Sequence, residues 1–199
     1  RNSSDGRTDR CRRLTLVRII FAGTPDAAVP TLQALLDSPH EVALVITRPP
    51  ARRGRGKTAY PSPVASVAAQ AGVELMETTS LKAPEIGERI AAVRGDLGVV
   101  VAYGALVPPN VLETPTHGWL NLHFSDLPRW RGAAPVQWAI REGDQSTASC
   151  VFTLEEGLDT GDVYSRVEVP IGRESAGELL TSMAQAGAGQ VLAVVDALE

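Results

Sequence analysis

The sequence has few aromatic residues, few histidines and only two cysteines. Aromatic residues make up 5% of its 199 residues, so Val, Leu, Ile and Ala must build most of the core. The cysteines, Cys11 and Cys150, are too few for a disulfide framework and lack metal-ligand spacing. With three histidines in all, a zinc site built by the protein is not expected. We therefore predict no metal site and a reducing, cytoplasmic location.

Long apolar runs and a secretory signal are also missing. No apolar run is long enough to span a membrane, so we predict no membrane association. Residues 1–13 contain five arginines and lack the apolar segment of a signal peptide. We interpret 1–13 as a disordered or extraneous leader and 14–199 as one domain, which is long enough for one sizeable core.

Apolar runs alternate with helix-like segments along most of the chain. Strands are predicted at 14–21, 41–47, 73–76, 97–102, 119–123, 149–154 and 163–169, and helices at 25–37, 62–71, 83–94, 135–141 and 175–198. This order predicts an α/β, Rossmann-like fold, an open and mostly parallel sheet with helices on both faces. Ligands bind such sheets beyond the carboxyl ends of the strands, so we expect chemistry in the loops after Ala22, Thr47, Ala102 and His123.

A proline- and arginine-rich segment follows the second predicted strand. Residues 51–58 nearly fit the phosphate-binding pattern G-x-x-x-x-G-K-[ST], but Pro49 and Pro50 precede them and Pro61 and Pro63 follow. Such a loop needs a strand before it and a helix after it, so we reject the nucleotide triphosphatase interpretation. The segment has no acid and five cations, Arg48, Arg52, Arg53, Arg55 and Lys57. It is either a solvated surface loop or a flexible clamp on a polyanion such as an RNA backbone.

Two polar side chains stand at the end of the fifth predicted strand. Asn121 and His123 are two residues apart and share one face, whereas Leu120 and Leu122 face the other way. Such a pair at the carboxyl end of a parallel strand is typical of a functional site. Downstream, Asp159 lies in a turn bracketed by glycines, which can present a carboxylate. Asn121, His123 and Asp159 are therefore our candidate catalytic group.

Several runs of the sequence resemble one known family. Residues 121–135, NLHFSDLPRWRGAAP, are similar to the signature of the 10-formyltetrahydrofolate-dependent formyltransferases, and 157–162 resemble the second motif of that family. Shorter segments that support the likeness are 21–25, 53–57, 61–63 and 100–104. The similarity extends from about residue 16 to the end of the chain. It differs from the usual pattern at Phe124, where a small residue is common, and at Asp126, where an apolar residue is common.

The resemblance implies acyl transfer from the N10-formyl group of 10-formyltetrahydrofolate to an amine. It implies that Asn121 and protonated His123 donate hydrogen bonds to the formyl oxygen, and that Asp159 stabilises the protonated ring and helps to pass on the amine proton. It assigns folate binding to Val101, Ala102, Tyr103, Gly104, Ser125, Asp126, Leu127 and Pro128. It favours methionyl-initiator tRNA as the acceptor, bound by Arg48, Arg52, Arg53, Arg55 and Lys57.

Other acceptors and another class of function stay open at this point. Glycinamide ribonucleotide would need a glycine-rich phosphate loop after the first strand, where Gly23-Thr24-Pro25-Asp26 stands instead. An amino sugar is a further candidate acceptor. A non-catalytic chain that only binds folate is the alternative from another class, because we expect the C-terminal β-barrel of the family to be absent. We expect a monomer.

Overall fold

The computed structural model describes residues 15–52 and 58–198. Within them the helices are α1 (Val29–Leu36), α2 (Pro63–Ala71), α3 (Pro84–Ala92), α4 (Pro109–Leu112), α5 (Pro135–Arg141) and α6 (Ala176–Val195), with a short 3-10 helix at Asp26–Ala28. The strands are β1 (Arg18–Gly23), β2 (Glu41–Thr47), β3 (Ala51–Arg52), β4 (Ala59–Tyr60), β5 (Leu75–Glu77), β6 (Leu97–Val101), β7 (Trp119–His123), β8 (Ser146–Thr153) and β9 (Val163–Pro170). Strands and helices therefore alternate over most of the described chain.

The main sheet of the described chain has seven strands in the order β5-β2-β1-β6-β7-β8-β9. The first five run parallel, whereas β8 and β9 extend one edge as antiparallel strands. Parallel neighbours need long crossover connections, and the helices that supply them cover the sheet. The prediction of an α/β, Rossmann-like fold is confirmed.

Some elements differ from the sequence-based expectation. Strands β3 and β4 pair as a small antiparallel ribbon in a segment for which we predict only a loop. Since β4 lies where a phosphate-binding loop would continue into a helix, the ribbon agrees with our rejection of the triphosphatase interpretation. Helix α4 lies where we predict no element, and β8 begins at Ser146 rather than at 149.

Each face of the main sheet has its own hydrophobic core. The larger core joins the sheet to α1, α2 and α6 through side chains such as Leu32, Leu122 and Val191. The smaller core lies on the other face and includes Trp119 of β7 and Ile90 of α3. Because the smaller core covers only part of its face, the carboxyl end of β7 is left for a cavity on that side.

Helix α6 packs closely against the larger core. Ser175 caps its start in a capping box, in which the carboxylate of Glu178 accepts a 2.8 Å hydrogen bond from the Ser175 backbone N–H. Gly187 lies so near β7 that an added Cβ would be 2.7 Å from Cδ2 of Leu122. Neither α6 nor any other helix in residues 15–52 and 58–198 is long and apolar enough to cross a membrane.

Candidate active site

Strand β7 carries Asn121 and His123 on the face of the smaller core. Asn121 lies beside Phe152 of the antiparallel strand β8. Leu120 and Leu122 project to the opposite face, where both are buried in the larger core. The alternation of side chains along a strand therefore brings the two polar groups together, as their spacing predicts.

The imidazole of His123 is buried and held from several sides. Its Nε2 lies 2.9 Å from the carbonyl oxygen of Trp130 and 3.7 Å from Oδ2 of Asp159. The ring of Phe152 meets it edge-on, with the ring centroids 6.4 Å apart. Since a carbonyl oxygen only accepts hydrogen bonds, this geometry assigns a proton to Nε2.

Asp159 reaches the histidine from the loop between β8 and β9. Its backbone has a φ of +49°, a left-handed conformation that residues other than glycine adopt rarely. Its Oδ2 accepts a 2.6 Å hydrogen bond from the backbone N–H of Gly132, and its side chain is 9% exposed. At Gly161 an added Cβ would lie 1.8 Å from the carbonyl oxygen of Thr153, so the turn has room for glycine alone.

A cavity of about 720 Å³ opens beside Asn121, His123 and Asp159. Three loops surround it, 102–109 after β6, 132–135 after β7 and 154–159 after β8. Left-handed backbone conformations, with φ between +47° and +84°, occur in these loops at Ala102, Gly104, Gly132 and Ala134. Strained backbone clusters at functional sites, and the volume lies within the range of roughly 300–1,000 Å³ that small-molecule sites occupy.

Comparison with known proteins identifies the family. Residues 17–195 match the family model described as formyl transferase. This chain belongs to the formyl transferase family. Proteins named methionyl-tRNA formyltransferase from Salinispora arenicola and Corynebacterium glutamicum are 52% and 49% identical to it over 184 and 189 residues, or 92% of the chain. The chain spans 60% of the length of each of these relatives.

Solved structures share the formyl transferase fold. Glycinamide ribonucleotide transformylase 1 from Geobacillus kaustophilus gives a TM-score of 0.72 at 23% identity, covering 90% of this chain and 97% of that one. A formyltetrahydrofolate deformylase from Pseudomonas syringae pv. tomato gives a TM-score of 0.71 at 18% identity, covering 89% of this chain and 60% of that one. At such low identity these likenesses establish the fold alone.

Part of the predicted folate set lies on the cavity wall. Ala102, Tyr103 and Gly104 line the cavity, whereas the side chain of Val101 is buried in the larger core. The phenol of Tyr103 donates a 3.1 Å hydrogen bond to the carbonyl oxygen of Thr78, and burial raises its pKa. The backbone after β6 thus borders the cavity, as the strand-end rule predicts.

The rest of the predicted folate set, Ser125, Asp126, Leu127 and Pro128, does not line this cavity. Asp126 instead forms a two-bond ion pair with Arg166 of β9, with N–O distances of 2.6 and 2.7 Å. The hydrogen bond from Arg166 lowers the pKa of the Asp126 carboxyl. The other unusual residue, Phe124, is buried in the larger core. A folate role for 125–128 stays a prediction, while Asp126 has a structural partner that its sequence neighbours do not reveal.

The cavity wall also includes residues that sequence reasoning missed. They include Lys82, Leu106, Val107, Pro108, Leu154, Glu155, Glu156 and Leu158. The glycine and proline content of the stretches after β6 and β8 could have indicated the two loops. Lys82 precedes α3 and belongs to no motif, so only the folded chain brings it to the cavity.

The basic segment starts at the cavity wall. Arg48 donates a 2.6 Å hydrogen bond from Nη1 to the carbonyl oxygen of Gly104, a cavity residue. Arg52 is exposed on β3. The remaining predicted tRNA contacts, Arg53, Arg55 and Lys57, lie outside the described residues. All five assignments to tRNA stay predictions.

Neither a cluster of metal ligands nor an exposed thiol occurs among the described residues. No group of three or more His, Cys, Asp or Glu in residues 15–52 and 58–198 could hold a metal ion. Cys150 is buried in β8, and burial raises the pKa of its thiol. A buried thiol with a raised pKa is a poor nucleophile, so Cys150 is not a candidate for nucleophilic chemistry.

Proposed function

We propose that this chain transfers a formyl group from 10-formyltetrahydrofolate to the α-amino group of methionyl-initiator tRNA. The observation that carries the proposal is the convergence of Asn121, His123 and Asp159 on one cavity in a formyl transferase. The relatives named methionyl-tRNA formyltransferase, about half identical to the chain, support this choice of acceptor.

The reaction forms a bond from the acceptor nitrogen to the formyl carbon and breaks the bond from that carbon to N10. The neutral amine is an adequate nucleophile, so the protein must stabilise the tetrahedral oxyanion and move one proton from the amine to N10. The amide of Asn121 donates to the oxyanion. Asn121 is half-buried, and this position strengthens such a hydrogen bond because less water competes for it.

His123 and Asp159 share the charge and the proton. The Nε2–H of His123 is bonded to the carbonyl oxygen of Trp130, and no polar atom of the described residues bonds to Nδ1. In the charged ring Nδ1–H is therefore the donor available to the oxyanion. The carboxylate of Asp159, 3.7 Å from Nε2, balances the ring charge and can pass the amine proton through a water molecule.

The cavity suits the two substrates in its shape and its charges. In this proposal the flat pterin pairs with the backbone of Ala102, Tyr103 and Gly104. Lys82 is the one lysine or arginine among the described cavity residues, whereas Glu155 and Glu156 line it from the loop after β8. This distribution favours the glutamate carboxylates of folate near Lys82 and an amine near the acidic loop.

The basic segment supplies the contact with tRNA in this proposal. Its five cations would neutralise phosphates, so binding should weaken steeply as salt rises. Arg48 ties the start of the segment to Gly104, which would place an RNA backbone held by Arg52, Arg53, Arg55 and Lys57 next to the cavity. The site would then receive the methionyl end of that RNA.

A formyl-transfer assay tests the acceptor. The chain is incubated with 10-formyltetrahydrofolate and, separately, methionyl-initiator tRNA, glycinamide ribonucleotide or an amino sugar nucleotide. Titration calorimetry with a non-transferring folate analogue runs beside the assay. We expect formyl transfer to the tRNA. Transfer to another amine would overturn the choice of acceptor, and binding of the analogue without any transfer would select the non-catalytic interpretation.

Glycinamide ribonucleotide is disfavoured by the loop after β1. That loop leads into the 3-10 helix Asp26–Ala28, whose first turn carries the acidic Asp26. Thr24 donates its hydroxyl to the carbonyl oxygen of Tyr103 at 2.9 Å, so the hydroxyl is already committed. A negatively charged phosphate would meet an acid there rather than a nest of free N–H groups.

The tRNA contact is tested separately with Arg52→Ala and Arg55→Ala. Both should raise the KM for charged tRNA and reduce its salt dependence, while the affinity for the folate analogue stays unchanged. Arg173→Ala, at an exposed arginine far along the chain, is the matched control. Equal loss of tRNA use and folate binding in the two variants would contradict the assignment.

A further inference from the structure

Trp130 holds an unusual backbone conformation next to the candidate catalytic histidine. Its φ is +58°, in the left-handed region that bulky residues rarely occupy. In this conformation its carbonyl oxygen accepts hydrogen bonds from Nε2 of His123 at 2.9 Å and from the hydroxyl of Ser125 at 3.2 Å. A strained conformation persists only where the surrounding structure holds it, so the residues around Trp130 must supply that restraint.

The carboxylate of Asp144 provides the polar part of the restraint. It accepts hydrogen bonds from Nε1 of Trp130 at 2.7 Å and from Nε and Nη2 of Arg129 at 2.9 and 2.7 Å. The Arg129 guanidinium in turn lies over the Trp130 ring, 4.3 Å from its centroid. Trp138 of α5 stacks on the Trp130 ring, with centroids 6.1 Å apart and planes 13° from parallel. The carboxylate of Asp144 therefore holds Arg129 and Trp130, which lie shortly before the cavity loop 132–135.

Asp144 is itself fixed by the end of α5. Its backbone N–H donates a 3.0 Å hydrogen bond to the carbonyl oxygen of Ala139, and it follows Gly143, which has a φ of +74°. Its side chain is 17% exposed, and the hydrogen bond from Arg129 lowers the pKa of its carboxyl, so it is charged at neutral pH. The helix, the carboxylate and the tryptophan thus form a continuous connection to His123.

We propose that Asp144 is a positioning residue that keeps the proton of His123 on Nε2. By holding Trp130 it keeps the carbonyl oxygen against Nε2, which leaves Nδ1 as the nitrogen without a hydrogen-bond partner in residues 15–52 and 58–198. Asp144 touches neither substrate and acts through Trp130. The catalytic consequence rests on the proposed function of His123, whereas the position of the proton can be measured without any substrate.

The direct test is nitrogen NMR of the three histidine rings at about pH 9, where an ordinary imidazole is neutral. We expect the Nε2–H tautomer for His123 in the unaltered chain and a mixture of tautomers in Asp144→Ala. His40 is an internal reference, because its Nδ1 accepts a 3.2 Å hydrogen bond from the Val17 backbone N–H and its tautomer does not depend on Asp144. An unchanged His123 tautomer in folded Asp144→Ala would overturn the proposal.

Two further variants keep the test decisive if Asp144→Ala does not fold. Asp144→Asn retains one acceptor oxygen and should keep most of the Nε2–H population. Trp130→Phe keeps the ring stack but loses the Nε1 hydrogen bond, so it should shift the tautomer toward a mixture. The opposite ranking of these two variants would contradict a role for Asp144 as the restraint.

If the chain transfers formyl groups, steady-state kinetics provide a second readout. Asp144→Ala should lower kcat by roughly 10- to 100-fold with little change in the KM for folate, comparable to the loss when a residue that orients a metal-bound histidine from outside is removed. Glu74→Ala is the matched control, because it also removes a carboxylate paired with an arginine, at 2.8 Å, but far from the cavity. If the unaltered chain transfers no formyl group, the proposed function fails while the NMR result still decides the position of the proton.

Discussion

The two faces of β7 perform different tasks with alternate residues of one short strand. Leu120 and Leu122 are buried in the larger core, against the sheet and α6. Asn121 and His123 line the cavity on the other face. The difference teaches that core packing and the lining of a cavity can be divided between alternate side chains of one strand, because strand geometry turns neighbouring side chains in opposite directions.

The two faces of β7 also differ in the backbone conformations around them. Of the five described non-glycine residues with positive φ, Ala102, Ala134 and Asp159 line the cavity and Trp130 bonds to His123, while only Arg94 lies elsewhere. Each such conformation costs about 1–3 kcal/mol. The cavity side thus concentrates backbone strain, whereas the core side is stabilised by close packing.

The sharpest test of this contrast removes the polar groups of β7. Asn121→Ala or His123→Ala should lower kcat/KM about 100- to 1,000-fold, because each removes a donor that we propose for the oxyanion. The unfolding midpoint should change little for Asn121→Ala, since that side chain borders the cavity. Initial rates measure kcat/KM, and thermal unfolding of the same samples measures the unfolding midpoint. Near-normal turnover by either variant would show that the group is not catalytic.

The matching change on the other face should affect stability. Leu122→Ala should lower the free energy of unfolding by about 2–5 kcal/mol, because it leaves a cavity in a packed core. Leu16→Ala is the control, at a leucine that is 68% exposed. Urea unfolding followed by circular dichroism measures the difference. A loss as small as that of the control would mean that β7 does not separate the two tasks.

Two glycines of α6 probe the core face from its partner helix. Gly187→Ala should destabilise the chain by about 1–2 kcal/mol, because its Cβ would lie 2.7 Å from Leu122 in a tightly packed core. Gly189→Ala should stabilise it by about 0.5–1 kcal/mol, because no atom lies within 4 Å and alanine favours the helix. Chemical unfolding of both variants checks the opposite signs. If both substitutions stabilise, the contact of α6 with β7 is looser than described.

The smallest effect on stability is expected at the ion pair of Asp126 with Arg166, two residues that do not line the cavity. Asp126→Asn should cost below about 1 kcal/mol, because both side chains are substantially exposed and solvent screens their charges. The folded-state pKa of Asp126 is lowered, so the ion pair stabilises the fold at neutral pH and this contribution is lost as pH falls below about 4. Unfolding of Asp126→Asn and of the unaltered chain at pH 7 and pH 3 measures this contribution. A variant penalty that grows on acidification would have the wrong sign.

Local sequence patterns could predict the candidate group because each member is marked by its neighbours. The spacing of Asn121 and His123 places them on one face, and Gly157 and Gly161 mark the turn that carries Asp159. The sequence could not predict that this turn comes within reach of His123. The loop after β8 starts beside Trp119, at the other end of β7, where Leu154 N–H donates to the Trp119 carbonyl oxygen. It then returns along the strand to His123.

The sequence by itself determined the alternation of strands and helices, the shared face of Asn121 and His123 and the glycine turn at Asp159. These features depend on the period of a strand and on backbone freedom within a few residues. Only the tertiary structure decided that Trp130 and Asp144 restrain the histidine and that Asp126 pairs with Arg166. Such contacts join residues 7 to 40 positions apart, and their partners are chosen by how the loops pack, which no local pattern encodes.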